Sequence, residues 1–360
     1  MADTVAEQIA ALKDEDWAIR EEAATMLGAL RDPRAVAPLV SVLRDDDRAV
    51  RDAAIGALLA IGEPAVTTLG ACLSDPVLTV QELASSVLAA IADERVFAPL
   101  VKALASPDWI VRMHAAKALG RIQDPEAVVP LVPLLQDKVK AVREETSTAL
   151  AAIGEAALSS LLAALTHTEW LVRLHAVEAL GKTRSAEAVE PLLSVLFNDR
   201  DRAVREDAVR ALGQIGDARA VEFLVTAMKE PGLRPLAIEA LGRIGDRRAV
   251  PVLIDVLKGV ERPEVSQPID GCGDQWDEDM IALGEAAKAL GTIRDEVAIP
   301  SLVKALRFTV TRADAADALT RFGGAVIAPL LGLLAHESDD NVRYHIKETL
   351  ARVGWRAGRI

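Results

Sequence analysis

"WIVRMHAAKALGRI", residues 109–122, and "WLVRLHAVEALGKT", residues 170–183, are two copies of one phrase. Further copies read "AIREEAATMLGAL" from Ala18 and "AVREDAVRALGQI" from Ala203. The phrase returns at a spacing of about 31 residues, and a fixed period of this size is the mark of stacked supersecondary units. Its Val-Arg pair, with a Leu seven residues after the Arg, sets the register. The Leu series runs Leu27, Leu58, Leu88, Leu119, Leu150, Leu180, Leu212, Leu241, Leu290, Leu319 and Leu350, which makes about eleven units. The Arg appears in most copies, with Gln81 in its place in the third and Leu283 in the ninth.

Each unit reads as two helices. The first opens on turns such as "RDPRAVAPLV", where Pro33 and Pro125 suit a first helical turn that needs no backbone donor. A second proline (Pro38, Pro99, Pro130, Pro191, Pro251, Pro300, Pro329) is expected inside that helix, bending it. The second helix is predicted to start at Asp16, Asp47, Asp108, Glu169, Asp201 and Asp339, where an acid meets the positive helix end. It is predicted to stop at Gly62, Gly216 and Gly245. Along it, the residues before, three after and seven after the Arg share one apolar face, with Ala23, Ala54, Ala115, Ala176 and Ala208 permitting close helix approach. The Arg itself is read as structural, pairing with acids of its own or the adjacent unit.

Composition agrees. The 360 residues are 51% hydrophobic but only 3% aromatic, so the core is built from Ala, Leu, Val and Ile. The expected fold is all-α, one α-solenoid over residues 1–360. The formal charge of −13 repels phosphate, which argues against nucleic acid and anionic membrane as partners. Two cysteines, Cys72 and Cys272, cannot build a disulfide framework or a four-cysteine zinc site. Without a signal-like start or a long apolar stretch, the chain is expected to be soluble and cytoplasmic.

The "DPRAVAPLV…VR..AA.ALG.IGD" pattern resembles the HEAT-repeat family, in its short-repeat branch of PBS-lyase HEAT-like repeats. That resemblance implies a solenoid whose second helices line a concave surface. HEAT-repeat deoxyhypusine hydroxylases carry His-Glu pairs for iron, and no His-Glu pair occurs here. HEAT-like DNA glycosylases use a basic face, whereas this one reads as acidic. E/F-type phycobilin lyases share the repeat, so a cofactor- or pigment-handling enzyme subunit is kept as the alternative.

Function is sought where copies differ. The step from Leu241 to Leu290 is 49 residues, so the ninth unit carries an insertion, read as a loop over residues 259–279. Its acids and Cys272 lack the spacing of a calcium loop. Asp274, Trp276 and Asp277 are its candidate partner contacts, with Trp276 as anchor. Trp109 and Trp170 stand three residues before the Arg, read either as turn packing or as surface. His114 and His175 stand two after it. At about 100° per residue that position lies opposite the core stripe and is expected to face the groove. With Glu82, Met113, Glu144, Glu145, Leu174, Glu178, Glu206 and Asp207 it forms a predicted acidic inner face with a Met/Leu/His patch. The two His lie two units apart, too far to share one metal. No catalytic, cofactor or metal site is assigned. The expected function is a non-enzymatic scaffold that binds a basic or helical protein segment in an acidic concave groove.

Overall fold

The computed structural model describes residues 3–230, 232–259 and 273–356, with side chains from residue 278 onward in the last stretch. Among these residues there are 22 α-helices and no strand. The chain divides into two compact units, Met1–Ala179 and Leu180–Ile360, and the boundary falls within the helix Trp170–Thr183. Each unit is a two-layer stack. In the first, the second helices Trp17–Leu30, Arg48–Ile61, Leu78–Ile91, Trp109–Ile122 and Lys140–Ile153 pack side by side in chain order. The shorter first helices form the other layer. All eleven leucines of the register are fully buried, which is why that position tolerates no other chemistry.

The asparagine-free caps follow the reading closely. Asp16, Asp47, Asp108, Asp201 and Asp339 each accept a backbone N–H of the helix they open. Gly62, Gly216 and Gly245 end their helices at positive φ. At the equivalent place Arg31, Ala92, Gln123, Arg184 and Arg294 also take positive φ without being glycine.

The prolines correct the expectation of bent first helices. Most first helices are split into a short 3-10 turn, such as Pro33–Ala35, and a separate α-helix, such as Val36–Val42, while Thr4–Ala11 and Glu155–Ala164 have no such turn. Pro38 and Pro99 are third residues of their α-helices, and Pro251 and Pro300 are second. In the first turn a missing N–H leaves no bond unmade, so nothing is displaced and nothing bends.

The glycine of "Ala-Leu-Gly" sets the spacing between second helices. A Cβ added to Gly120 would lie 2.5 Å from Ala149 Cα; at Gly28 it would lie 2.8 Å from Ala57 Cα. In the second unit Gly213 meets Ala240, Gly242 meets Ala289 and Gly291 meets Ala318 in the same way. Backbones this close leave room for no side chain on one partner and only a methyl on the other.

The ninth repeat departs from the reading. Its second helix, Gly273–Ile293, has 21 residues where most others have 14. Residues 273–279, expected in a loop, are therefore helical. The polar, acidic composition that reads as loop also suits the first turns of a helix. At its start Glu278 accepts the Gly232 N–H at 2.7 Å and Asp279 pairs with Arg234. Residues 260–272, Cys272 among them, lie outside the described residues. Among those described, no single helix is long and apolar enough to cross a membrane.

Candidate functional site

The repeated arginine is a staple. Arg112 donates to the carbonyls of Ser106 and Pro107 at 2.8 and 3.1 Å, closing the turn before its own helix. Arg20, Arg51, Arg143 and Arg173 make the same pair of bonds, and Gln81 keeps one of them. Arg20 and Arg112 also reach forward to Asp45 and Asp137 in the next repeat, each at 2.7 Å and each with a second bond at 2.9 Å. The Arg20 guanidinium holds the Asp45 carboxyl below its usual range. These arginines are committed to the fold.

That staple explains one of the two histidines. In the sixth repeat the turn position held by Asp45 and Asp137 elsewhere is His167, which bonds the Glu169 N–H. Arg143 has no turn carboxylate to reach there. Its Nε donates instead to His175 Nε2 at 3.0 Å, while His175 Nδ1 lies 2.9 Å from Glu178 Oε2. An imidazole that accepts at Nε2 carries its proton on Nδ1, so Nδ1–H donates to Glu178. His175 is only 3% exposed. The expectation that it faces the groove is corrected: it is buried between neighbouring helices and carries an inter-repeat bond.

His114 is half-buried, with Nδ1 3.0 Å from Ser85 Oγ of the preceding repeat. Ser85 Oγ also donates to the Glu82 carbonyl at 2.8 Å. Burial first, and then the nearby Lys117 charge, push the His114 pKa down. Both histidines thus sit on the flank where helices meet. Side chains of the preceding repeat, Ser85 against His114 and Arg143 against His175, cover the position two after the Arg. The solvent-facing stripe is instead the first and fifth residues of each second helix, with the ninth beside them.

In the first unit that stripe has a varied chemistry. First positions are Trp17, Arg48, Leu78, Trp109, Lys140 and Trp170. Trp109 and Trp170 are 40% and 41% exposed, so neither is absorbed by turn packing. Fifth positions are Glu21, Asp52, Glu82, Met113, Glu144 and Leu174, half-buried or exposed. Arg48–Asp52 and Lys140–Glu144 are ion pairs at 3.4 and 3.3 Å. Among the described residues Glu82 and Glu145 engage in no ion pair. Burial, and then repulsion from Asp108, raise the Glu82 carboxyl above its usual range.

The predicted face is therefore divided. Glu82, Met113, His114, Glu144, Glu145, Leu174, His175 and Glu178 belong to the first unit; Glu206 and Asp207 belong to the second. The last two are already neutralised within their own helix, Glu206 by Arg202 at 2.8 Å and Asp207 by Arg210 at 2.6 Å. Asp274, Trp276 and Asp277 fall on the helix Gly273–Ile293, and their side chains lie outside the described residues. Among the described residues no cluster of three metal-ligating side chains occurs. Cys72 is buried, its Sγ 3.4 Å from the Thr68 carbonyl, and burial pushes its thiol pKa up.

Paired helices stacked in two layers, with side-by-side second helices stapled by a repeating arginine, define an α-solenoid. The family model for HEAT repeats matches residues 5–89, 66–151, 134–195, 158–232, 189–268 and 276–351, and the chain belongs to the HEAT-repeat family. No curated protein matches it. Among solved structures it is similar to yeast importin-β, Kap95p, at TM-score 0.64 and 16% identity, covering 98% of this chain and 58% of that one. Kap95p in a structure with RanGDP matches at TM-score 0.65 and 15% identity, covering 97% and 57%. The karyopherin Kap121p bound to the extreme C-terminus of Cdc14p matches at 0.64 and 14%, covering 97% and 45%. The chain spans about half the length of these karyopherins, and at such identities the likeness is one of fold.

Proposed function

We propose that the chain is a protein-interaction scaffold of the short-repeat, PBS-lyase-like HEAT branch. It binds a basic protein segment along the exposed face of its second helices. One observation carries the reading. The exposed stripe of the first unit sets Glu82, a carboxylate without an internal cation, beside solvent-facing Trp109 and Trp170, with Glu145, also without an ion pair, on the half-buried flank next to it. Partly desolvated acids favour an external cation, and large aromatic rings supply contact area at small entropic cost. A net charge of −13 draws a basic partner toward the whole surface. The solved relatives hold protein partners, Ran in one case and a Cdc14p C-terminus in another, which is in keeping with a solenoid used as a protein-binding surface.

The test is selection from a random peptide library displayed on phage, followed by affinity measurement across a salt series. Selected peptides are expected to be rich in Lys and Arg. Their binding is expected to weaken with salt and to lose about tenfold when Glu82, Glu144 and Glu145 are changed together to Gln. Selected peptides without basic residues, indifferent to salt and to those substitutions, would sink the reading. So would a stoichiometric chromophore in the absorption spectrum of the purified protein, which would turn the assignment toward pigment handling.

A further inference from the structure

Read along the stripe, the first- and fifth-position pairs of consecutive repeats do not vary at random. The second repeat offers the ion pair Arg48–Asp52 and the fifth offers Lys140–Glu144. The fourth offers Trp109 with Met113, and the sixth offers Trp170 with Leu174. Residues four apart are neighbours on a helix surface, so each of these pairs forms one continuous apolar pad. The helix between the two pads, Lys140–Ile153, carries Glu144 on the stripe, paired with Lys140, and Glu145 beside it on the half-buried flank, with no ion pair. In no other repeat of the first unit are both stripe positions apolar.

From this juxtaposition we infer that the first unit recognises an extended peptide through two apolar anchors, one on Trp109–Met113 and one on Trp170–Leu174. A basic residue between the anchors meets Glu145. This inference rests on the reading of the second-helix face as a partner site. The spacing follows from the packing. Neighbouring helices in a stack lie 8–10 Å apart, so pads separated by two steps lie roughly 16–20 Å apart. The tight Gly120–Ala149 contact favours the lower end. An extended chain advances about 3.3 Å per residue, which places the two anchors about five or six residues apart. A helical peptide rises about 1.5 Å per residue and would need twice that separation or more, so spacing also reports the bound conformation. The charge argument selects the central residue: a cation there meets an acid that has no partner of its own, whereas an acid meets repulsion.

The experiment uses the full chain and fluorescein-labelled synthetic peptides. Each carries two leucines in a Ser background with one Lys midway, and the leucine separation runs from three to twelve residues. Fluorescence polarisation is expected to show tightest binding at a separation of five or six. Trp109→Ala and Trp170→Ala are each expected to weaken that peptide by tenfold or more, as central aromatic anchors do. Trp17→Ala is expected to leave it unchanged, since Trp17 has Glu21 beside it rather than an apolar partner. All three rings are at least 40% exposed, and circular dichroism checks that the variants remain folded. A flat separation profile, an optimum near eleven, an equal loss from Trp17→Ala, or no binding by any peptide would overturn the inference. Binding that falls with Glu145→Gln yet ignores separation and both tryptophans would remove the two pads and leave the acidic face standing. Binding tuned to separation but blind to charge would do the reverse.

Discussion

Two glycine-to-alanine substitutions in second helices should act with opposite signs. Gly56 lies within Arg48–Ile61, and a Cβ there would meet nothing within 4 Å. Gly56→Ala therefore carries only the helix-propensity gain, a stabilisation of about 1 kcal/mol. Gly120 lies within Trp109–Ile122 and carries the same gain. Its added Cβ, however, would sit 2.5 Å from Ala149 Cα and 2.7 Å from Ala149 Cβ. Carbon atoms pack at 3.5–4.0 Å, so the two helices must part by about 1 Å. The obstacle is backbone, which no rotamer change can move aside. Overpacking of this kind costs about 1–3 kcal/mol, and a displaced helix pair belongs at the upper end. Set against the propensity gain, Gly120→Ala should be destabilising by about 2 kcal/mol. Because repeat arrays need not unfold in one step, the denaturation midpoint is best paired with amide hydrogen exchange, read separately over residues 48–61 and 109–122. Protection should rise in the first segment for Gly56→Ala and fall in the second for Gly120→Ala. Adding Ala149→Gly should return part of the loss, since it clears the Cβ contact. If Gly120→Ala stabilised the protein as Gly56→Ala does, the close approach of backbones would not be what holds these repeats together.

The staple and the half-buried histidine give two more expectations. Arg112→Ala removes four hydrogen bonds and leaves the mostly buried Asp137 carboxylate without its partner, so urea denaturation should show a loss of about 2–3 kcal/mol. Arg48→Ala, which breaks only an exposed pair with Asp52, should change stability by less than about 0.5 kcal/mol. For His114, burial favours the neutral ring and sets the folded pKa below the ordinary 6.5. In the window between them the unfolded chain binds more protons than the folded one, so stability falls as pH drops through and below about 6.5. The urea midpoint should decline more steeply from about pH 7.5 to 5.5 in the parent than in His114→Gln; equal slopes would show that this ring does not couple protonation to folding.

The repeat made the architecture legible before any coordinate. Leu27 and its ten equivalents, the Asp caps and the Gly stops were all placed correctly, because each depends on its own helix and its nearest turn. The prolines were misplaced for a local reason too: a short 3-10 turn precedes the first helix in most repeats, and no periodicity distinguishes it from the helix that follows. The segment 273–279 shows the limit of composition, since acidic residues suit a solvated loop and a helix start equally.

The site was legible only in part. Glu82, Met113, Glu144 and Leu174 are half-buried or exposed in the structure, whereas His175 is buried. Its bond to Arg143 goes with His167 standing in the preceding turn where the second and fifth repeats carry an acid, which leaves Arg143 to find its partner across the stack. Trp109 and Trp170 were noticed as a signature, but their exposure depends on how far the neighbouring helices cover them. The sequence by itself determined what recurs, because periodic burial of one face is a property of a single helix. Tertiary structure alone decided which of the remaining faces meets water, because the partners a neighbouring repeat supplies, Ser85 against His114 and Arg143 against His175, settle how much of each helix flank is covered.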